Sequence, residues 1–565
     1  MRILLLSGLV ALGALAAGEP LPTSGGRRGP EGTGVFPGPA PVVDFAEDRN
    51  VLWRTPLPNW GCNTPLVVGD RVFVVSEYGW GATSPIVLCL SLADGRILWR
   101  QEMDHLDALA EPERSEAKGW RDREVANLNL SHRLFHRFHA AEDDAERERV
   151  VAEGTAAGMP GFSRLRAGRR NIKDVSPFAR SGNGVLRRDT YNTCRDRRWF
   201  WYMGWRFYGT IFTGQSFPSP VSDGTAIYLY NAFGAVARYE LDGTRTWLQF
   251  LDIPMHGHPF GPTKNIVGSP IIVGDTLVVS HPGDQAGDRR AHSSFMVGFD
   301  LATGAERWRT PLGETERAET PTALDLDGTA VAYVSGHVVR VADGTLLGTL
   351  EQPDYVRAAR GSRGFVGGAA TPVTMGDLLF VVDSANGAGK RGHPYGVLAY
   401  RLGVTGDSLR QELVWSSPFG GNNECNSCLV IDRRAGELYV KRGGSVRVHD
   451  VQTGQERRRF TVQSGDWDSP ILVDGLLLSG RSTGEGRRNR GTKPRGYRLG
   501  IYDATTGEER ASGQLLVAPG EGDKAEQRIA QYAETSWNWG NALPVVWQGR
   551  ILLRSNDALY CIAAP

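Results

Sequence analysis

The sequence predicts an all-β fold: an eight-bladed β-propeller of four-stranded antiparallel blades, interrupted by one largely helical insertion. The first observation behind this is a phrase that recurs along the chain. It consists of a small residue, a proline, an apolar run, Gly-Asp or Asp-Gly, and a second apolar run. Its prolines Pro220, Pro270, Pro321 and Pro372 stand 50, 51 and 51 residues apart. A fixed period of this size marks repeated supersecondary units that bury their faces against one another. The second observation is the local chemistry of the phrase. Around Gly274-Asp275, the β-branched runs Ile271–Val273 and Leu277–Val279 flank a two-residue turn, the pattern of a tight hairpin. The third lies just C-terminal to that hairpin. Phe295–Phe299, the turn Asp300–Gly304 and the run Glu306–Trp308 supply a third strand, a turn whose aspartate can bond its own backbone amides, and a fourth strand. The Trp, four residues after the turn glycine, is placed to fill the space to a neighbouring sheet. Four antiparallel strands per ~50 residues, arrayed in series, make a propeller blade.

Taken in order, residues 1–17 read as an export signal, with Arg2, the apolar run Ile3–Leu15 and the small-x-small site Ala14-Leu15-Ala16. That run is too short to span a bilayer, and no cysteine stands close behind it to take a lipid anchor. Residues 18–41 form an extended N-terminal segment, and 42–565 form the propeller. Hairpin units begin at Pro65, Pro220, Pro270, Pro321, Pro372, Cys428, Pro470 and Pro544. The count is eight when the Cys428 unit is admitted and seven when one degenerate unit is set aside. The last unit ends at Tyr560-Cys561-Ile562 with no fourth strand, while Asn50–Leu57 supplies a Trp53-bearing strand with no blade of its own. The two are expected to complete one blade, closing the ring and leaving no free sheet edge.

The insertion, residues 104–217, is unlike the rest. Leu130, Leu134, Phe135 and Phe138 recur at helical spacing, and Glu142–Glu153 is charge-rich. The aromatic run Trp199–Tyr208 is expected to pack beneath a cap over one face of the ring.

Composition excludes several classes of function. A net charge of +1 gives no electrostatic case for nucleic acid, and the basic run Arg481–Arg498 reads as a solvated loop. There is no P-loop or His-Glu-x-x-His run. The six cysteines are Cys62, Cys89, Cys194, Cys425, Cys428 and Cys561. In an exported chain they permit disulfides without requiring them. Cys425 and Cys428 are a candidate disulfide, with buried thiols as the other reading. A zinc site wants a second such pair, and the chain has none. His256 and His258 read as part of a structural loop, and His132, His136 and His139 as one face of a packed helix.

A propeller binds ligands at its axial funnel, on the residues just before the innermost strand of each blade. Here those positions are polar and aromatic: Trp60 and Asn63; Lys264 and Asn265; Asn422, Asn423 and Glu424; Asp466, Trp467 and Asp468; Trp537, Asn538, Trp539 and Asn541. Tryptophan faces beside amides and carboxylates suit a carbohydrate, a peptide segment or a planar cofactor. The alternative is that they satisfy loop backbones around a water-filled channel.

The Asp-x-x-Thr-Gly-x-x-x-Trp element and the Ser-Pro hairpin resemble the pyrroloquinoline-quinone-like (PQQ-like) propeller repeat. That family includes alcohol and glucose quinoproteins and a bacterial outer-membrane assembly propeller. The stretch Arg28-Gly29-Pro30-Glu31-Gly32-Thr33-Gly34-Val35 resembles a narrower group of exported propellers without an established cofactor. The resemblance implies two activities besides plain binding. One is a quinone- and calcium-dependent oxidoreductase, in which Trp467 or Trp539 would stack on the quinone and Glu424 with Asn423 or Asp468 would hold the cation. Quinoproteins of this fold also use two adjacent cysteines, which this chain lacks. The other is an assembly-type propeller. The expectation is an exported (periplasmic or secreted), monomeric, non-enzymatic binding or scaffold module. It has a protein or extracellular ligand as partner and no cofactor, with PQQ and calcium as the alternative.

Overall fold

The computed structural model describes residues 19–46, 48–58, 61, 63–76, 85–141, 143–158, 162, 197, 218–231, 234–251, 268–281, 294–312, 319–351, 353, 371–382, 396–418, 429–463, 469–483, 495–517, 542–555 and 558–564. Its strands form eight four-stranded antiparallel sheets, so the degenerate Cys428 unit is a blade and the count is eight. Blade 1 comprises Leu66–Val68, Arg71–Ser76, Ile86–Ser91 and Ile97–Glu102, innermost strand first. Blades 2 to 7 repeat the order from innermost strands that start at Val221, Ile271, Thr322, Val373, Leu429 and Ile471. Those first strands touch one another in series from blade 1 to blade 7, which places them around the axis. Blade 8 joins Val545–Trp547, Arg550–Arg554 and Ala558–Ile562 to the outer strand Val51–Pro56 from the other end of the chain. Trp53 pairs with Cys561 and Pro56 with Ala558. The ring therefore closes by pairing its two chain ends, as the unpaired Trp53 strand implied.

Antiparallel order divides the ring into two faces. The turns between first and second strands, and between third and fourth, emerge on one side, the turn face. Every blade-to-blade connection, the insertion included, emerges on the other, the loop face. The turns are built as the sequence indicates. Asp300 Oδ1 accepts from the Thr303 amide and hydroxyl, both at 2.8 Å. Asp450 and Asp503 hold their own turns in the same way. The Arg307 guanidinium and these turn donors hold the Asp300 carboxyl down at about 2. In blades 1 to 7 the register between third and fourth strands shifts by one residue, beside the turn in all but the long hairpin of blade 5, a bulge that sharpens the local twist.

The core consists of apolar clusters between successive blades. Tyr228, Tyr230, Val236 and Trp247 of blade 2, for example, meet Leu277, Val279, Val297 and Phe299 of blade 3. Blades 7, 8 and 1 share one larger cluster that also takes in Phe36 and Phe45 of the N-terminal segment.

The insertion begins with a short 3-10 turn, His105–Ala108, then helix α1 (Glu113–Ala140) and helix α2 (Asp144–Ala156). Leu134 and Phe138 are buried, so the helical period marks a packed face. The His132, His136 and His139 side chains and the Trp199–Tyr208 run lie outside the described residues. The turn is anchored on blade 2. His105 is fully buried with Nε2 at 2.7 Å from Asn231 Nδ2. Asp107 bridges Lys118 of α1 and Arg245 of the outer strand of blade 2, each at 2.9 Å. Burial lowers the His105 pKa to about 4. This agrees with a neutral ring that accepts from the Asn231 amide, whose Oδ1 is itself taken by the Ala235 N–H.

Candidate functional site

In blades 1 to 4 the small residue before the hairpin proline has a structural task that the sequence does not disclose. Its hydroxyl accepts the backbone N–H of the equivalent residue one blade earlier. Leu543 donates to Thr64 Oγ1 (3.0 Å), Thr64 to Ser219 Oγ (2.9 Å), Ser219 to Ser269 Oγ (2.9 Å) and Ser269 to Thr320 Oγ1 (3.0 Å). These side-chain bonds lace the loop-face ends of the innermost strands together. Proline comes next because its missing N–H is not needed there and its fixed φ leads into the strand.

The sequence-predicted funnel residues all belong to connections on the loop face. Of these, Asn63 falls within the described residues. Trp60, Lys264, Asn265, Asn422, Asn423, Glu424, Asp466, Trp467, Asp468, Trp537, Asn538, Trp539 and Asn541 lie outside them, as do Cys425, Cys428, His256 and His258. Asn63 is 0% exposed, and neither its Oδ1 nor its Nδ2 has a hydrogen-bond partner. A buried amide left without partners is costly and seldom retained without a reason.

An internal comparison explains why Asn63 is unpartnered. In blade 4 the equivalent residue is Glu319, and it accepts from the Ser335 hydroxyl at 2.7 Å. Ser335 lies two residues beyond Tyr333, the cross-strand partner of Thr322. In blade 1, Phe73 is the partner of Leu66, and the residue two beyond it is the buried Val75. Valine has nothing to offer an amide.

The turn-face end of the axis is occupied by the chain itself. Leu21 donates to Gly224 O (3.0 Å) at the first turn of blade 2, and Ser24 to Val67 O (2.9 Å) in blade 1. On the far side of the ring, Thr33 O accepts from Ile431 of blade 6 (3.0 Å), and Gly34 O from Leu472 of blade 7 (2.9 Å). Val35 forms a parallel bridge with Leu472, and Thr23 an antiparallel one with Val68. Blades 1 and 2 face blades 5 and 6 across an eight-membered ring, so residues 21–36 span it.

The stretch Arg28–Val35, which carries the resemblance to exported propellers, is the middle of this strap. Gly29 has φ +80°, and a Cβ there would lie 2.4 Å from Val35 O, so the tight fold needs glycine. Arg28 is 4% exposed. Its guanidinium donates to Thr371 O (3.5 Å) and to Leu429 O, both at the loop-face starts of innermost strands. Glu31 pairs with Arg433 at 2.8 Å, in the first turn of blade 6. The sequence predicts an extended segment here but gives no sign of its path, because each of its contacts is to a distant blade.

The thiols of Cys89 and Cys561 are buried and free. Burial pushes them up to about 12 and about 11, so both are inert at neutral pH. Among the described residues no three His, Cys, Asp or Glu side chains converge to hold a metal. The residues that would hold a quinone–calcium pair, Asn423, Glu424, Trp467, Asp468 and Trp539, lie outside the described residues, and the chain has no two adjacent cysteines.

A family model described as "Outer membrane protein assembly factor BamB" matches residues 18–131 and 205–402, more than half of the chain. No curated protein matches the sequence. Among solved structures, BamB from Moraxella catarrhalis is similar at 13% identity and TM-score 0.37, over 60% of this chain and 80% of that one. Quinohemoprotein alcohol dehydrogenase from Comamonas testosteroni is similar at 9% identity and TM-score 0.47, over 96% and 80%. Quinohemoprotein alcohol dehydrogenase ADHIIG from Pseudomonas putida HK5 is similar at 10% and 0.37, over 96% and 82%. None of the three speaks to chemistry at these identities. No helix among the described residues is long and apolar enough to cross a membrane. Its repeats, its eight-bladed ring and the family match together show that the chain belongs to the PQQ-like propeller family of the BamB type.

Proposed function

We propose that the protein is an exported, non-catalytic propeller that binds a protein or extracellular ligand at its loop face. The observation that carries this reading is the asymmetry of the axis. Residues 21–36 span its turn-face end, while the ends of the described strands direct every blade-to-blade connection to the other. Ligands of closed repeat folds bind where loops of variable length converge on a rigid scaffold. The export signal read at residues 1–17 supports a location outside the cytoplasm. A second reading is an assembly factor for outer-membrane proteins, favoured by the description of the family whose model matches. It is a special case of the first, with client proteins as ligand.

The test uses photo-crosslinking residues in the full chain expressed in its producing cell. Glu351 and Gln463 are exposed positions at the loop-face ends of outer strands, and Asp474 and Gly328 are exposed positions in turn-face hairpins. Crosslinks to envelope proteins are expected from the first pair; crosslinks confined to the second pair overturn the reading. Titration of purified protein with pyrroloquinoline quinone and calcium, with absorbance and dye-linked alcohol oxidation as readouts, addresses the oxidoreductase. Stoichiometric quinone binding with turnover would replace the present proposal.

A further inference from the structure

The strap reaches into the axis from the turn face. At the rim, Leu21 donates to Gly224 O, and the Gly69 amide donates to Pro22 O at 2.8 Å. Further in, Ser24 donates its amide to Val67 O and accepts the Val67 amide on its hydroxyl, both at 2.9 Å. On the returning limb, Gly34 O accepts from the Leu472 amide and the Phe36 amide donates to Leu472 O, again at 2.9 Å. Val67 and Leu472 are the middle residues of three-residue innermost strands, so these contacts lie halfway along the axis. Arg28 carries the turn between the limbs up to Thr371 O and Leu429 O, at the loop-face starts of blades 5 and 6.

The fit to the bore is close on opposite sides. A Cβ on Gly26 would stand 3.0 Å from Val221 Cγ1 of blade 2, and one on Gly34 would stand 3.0 Å from Val430 Cγ2 of blade 6. Blades 2 and 6 face each other across a ring of eight, so glycine admits the backbone at both ends of a diameter. Ser24, Arg27, Arg28, Thr33 and Phe36 are each no more than 4% exposed. An arginine is seldom buried unless its donors are taken. The planar fork of Arg28 takes the main-chain carbonyls of Thr33, Thr371 and Leu429.

We propose that residues 21–36 are an axial plug, a self-ligand that binds the closed ring as one unit. Their seat is then a peptide-binding site for an extended backbone that carries glycine at the walls and arginine at the turn. The assignment concerns the axis and does not rest on the loop-face reading.

The mode of attachment is the first support. Thr23 bridges Val68 antiparallel and Val35 bridges Leu472 in parallel, so the plug adds backbone to the axial edges of innermost strands. Strand addition of this kind is how sheets hold peptide ligands, with main-chain bonds supplying affinity. The plug belongs to none of the eight four-stranded sheets, and its departure breaks no blade. Beyond it, Pro37, Gly38 and Pro39 are exposed.

The origin of the walls is the second support. Blades 1 and 2 form one side of the seat and blades 5 to 7 the other. Closure of the ring, by pairing of Val51–Pro56 with Ala558–Ile562, holds the two sides at the spacing the plug requires. A ligand that binds only the closed ring stabilises it by mass action, and closure raises the affinity for the plug by the same factor. The plug therefore docks after the blades have assembled and locks them.

The experiment uses the full mature chain with a protease recognition sequence inserted between Gly38 and Pro39, cut after folding. A labelled peptide of residues 19–36 is expected to enter the cut protein saturably, read by fluorescence anisotropy and gel filtration. Peptides carrying Arg28→Ala or Gly26→Val should compete about tenfold worse or more, a difference of about 1.4 kcal/mol. These substitutions sit in the peptide, so the ring stays native. Hydrogen exchange on the uncut chain tests whether the plug moves as a unit. The Gly69, Ile431 and Leu472 amides each donate to a plug carbonyl, and in uncut Arg28→Ala all three should exchange about tenfold faster together. The proposal is overturned by absence of saturable uptake or by equal competition from the Arg28→Ala peptide. It is equally overturned if uncut Arg28→Ala accelerates Ile431 and leaves Gly69, across the ring, unchanged.

Discussion

Two kinds of junction hold neighbouring blades together, and their difference shows what the repeat does and does not supply. At five junctions an outer-strand tryptophan lies on the turn glycine of the next blade. These pairs are Trp53 on Gly95, Trp99 on Gly243, Trp247 on Gly304, Trp308 on Gly344 and Trp415 on Gly454. In each the indole N–H donates to a carbonyl of that turn, at Leu92, Leu241, Leu301, Val341 and Val451. The position four residues after the turn glycine is instead Gly348 in blade 4, Arg458 in blade 6 and Ala511 in blade 7.

Each of those junctions is sealed by something else. In blade 5 a long outer hairpin, Gly396–Thr405 and Ser408–Pro418, brings Leu409 against Gly348, and Gln411 bonds Thr349 O and the Glu351 amide. Blade 6 sets Phe460 on Gly507, while Arg458 takes over the indole's bond to the turn carbonyl, at Ala504 (3.3 Å). Over blade 7, Phe45 of the N-terminal segment packs on Gly513. A local motif seals a junction where it is intact. Where it is missing, the substitute comes from a different part of the chain.

The largest effect expected from this comparison is at an intact junction. Trp247→Ala removes a nearly buried indole and leaves the Leu301 carbonyl without its donor. Deletions of this kind cost about 3–5 kcal/mol, read by chemical denaturation. Trp247→Phe keeps most of the packing and loses the hydrogen bond, and should cost about 1–2 kcal/mol. Equal losses for the two variants would mean that the indole N–H, and not the ring, holds the junction. Gly304, at φ +70° with Trp247 Cδ2 2.5 Å from where a Cβ would stand, should tolerate no side chain.

The junction between blades 1 and 2 is sealed twice, by Trp99 and by the anchored start of the insertion, and the second seal depends on pH. His105 titrates at about 4 in the folded chain against about 6.5 unfolded. The unfolded chain therefore binds the extra proton first, and the anchor's contribution is intact above pH 6.5. It is lost as pH falls from 6.5 to about 4. Full linkage over that interval is on the order of 3 kcal/mol, opposed by Asp104, which favours the charged ring, and reinforced by Arg121. Hydrogen exchange across Met103–Leu109 should accelerate in this window, and His105→Gln should flatten the dependence. An unchanged profile in the variant assigns the acid sensitivity elsewhere.

The blade 6–7 junction tests whether an ion pair replaces an indole on equal terms. Arg458 bonds Glu437 at 2.6 and 2.7 Å and the Tyr439 hydroxyl at 2.8 Å, and it holds the Glu437 carboxyl below its usual range. A depressed carboxylate contributes stability above its unfolded pKa and loses it as pH falls through the folded one. Arg458→Met is therefore expected to cost about 2 kcal/mol at pH 7, with a shallower acid limb below about pH 4.5. A neutral or stabilising Arg458→Met would show that apolar packing by Phe460 suffices there.

How much of this is legible in the sequence depends on where each contact originates. The Asp300 turn and the Gly304–Trp308 offset are local, so the repeat displays them. Trp53 is assignable to the closing blade because a periodic array exposes a strand without a unit. The hydroxyls of Thr64, Ser219 and Ser269 are visible as a pattern, but their partners sit one blade away, 479, 155 and 50 residues along the chain. Asn63 is recognisable as a polar residue at a funnel position. Its unpartnered state depends on Val75 standing where blade 4 has Ser335, which only strand register reveals. The path of residues 21–36 has no period at all, and its glycines record tight folding without direction.

The smallest global effect is expected at the junction sealed from farthest away. Phe45→Ala leaves blades 7 and 8 joined by their shared apolar cluster. It removes a ring that is 1% exposed but is carried on a segment held there by few backbone bonds, Phe45 to Ser512 O at 3.3 Å among them. Such a segment can detach locally at less cost than the domain unfolds, so global stability should fall by only about 1 kcal/mol. Limited proteolysis should nonetheless cut between residues 37 and 49 much faster than in the parent. The strap at 21–36 should stay protected, since its own bonds run to blades 1, 2, 6 and 7. If cleavage instead spreads through the strap, Phe45 is its outer latch, and closure of the turn face depends on a residue outside the ring. A fall in global stability as large as that of Trp247→Ala would erase the distinction between local and borrowed seals.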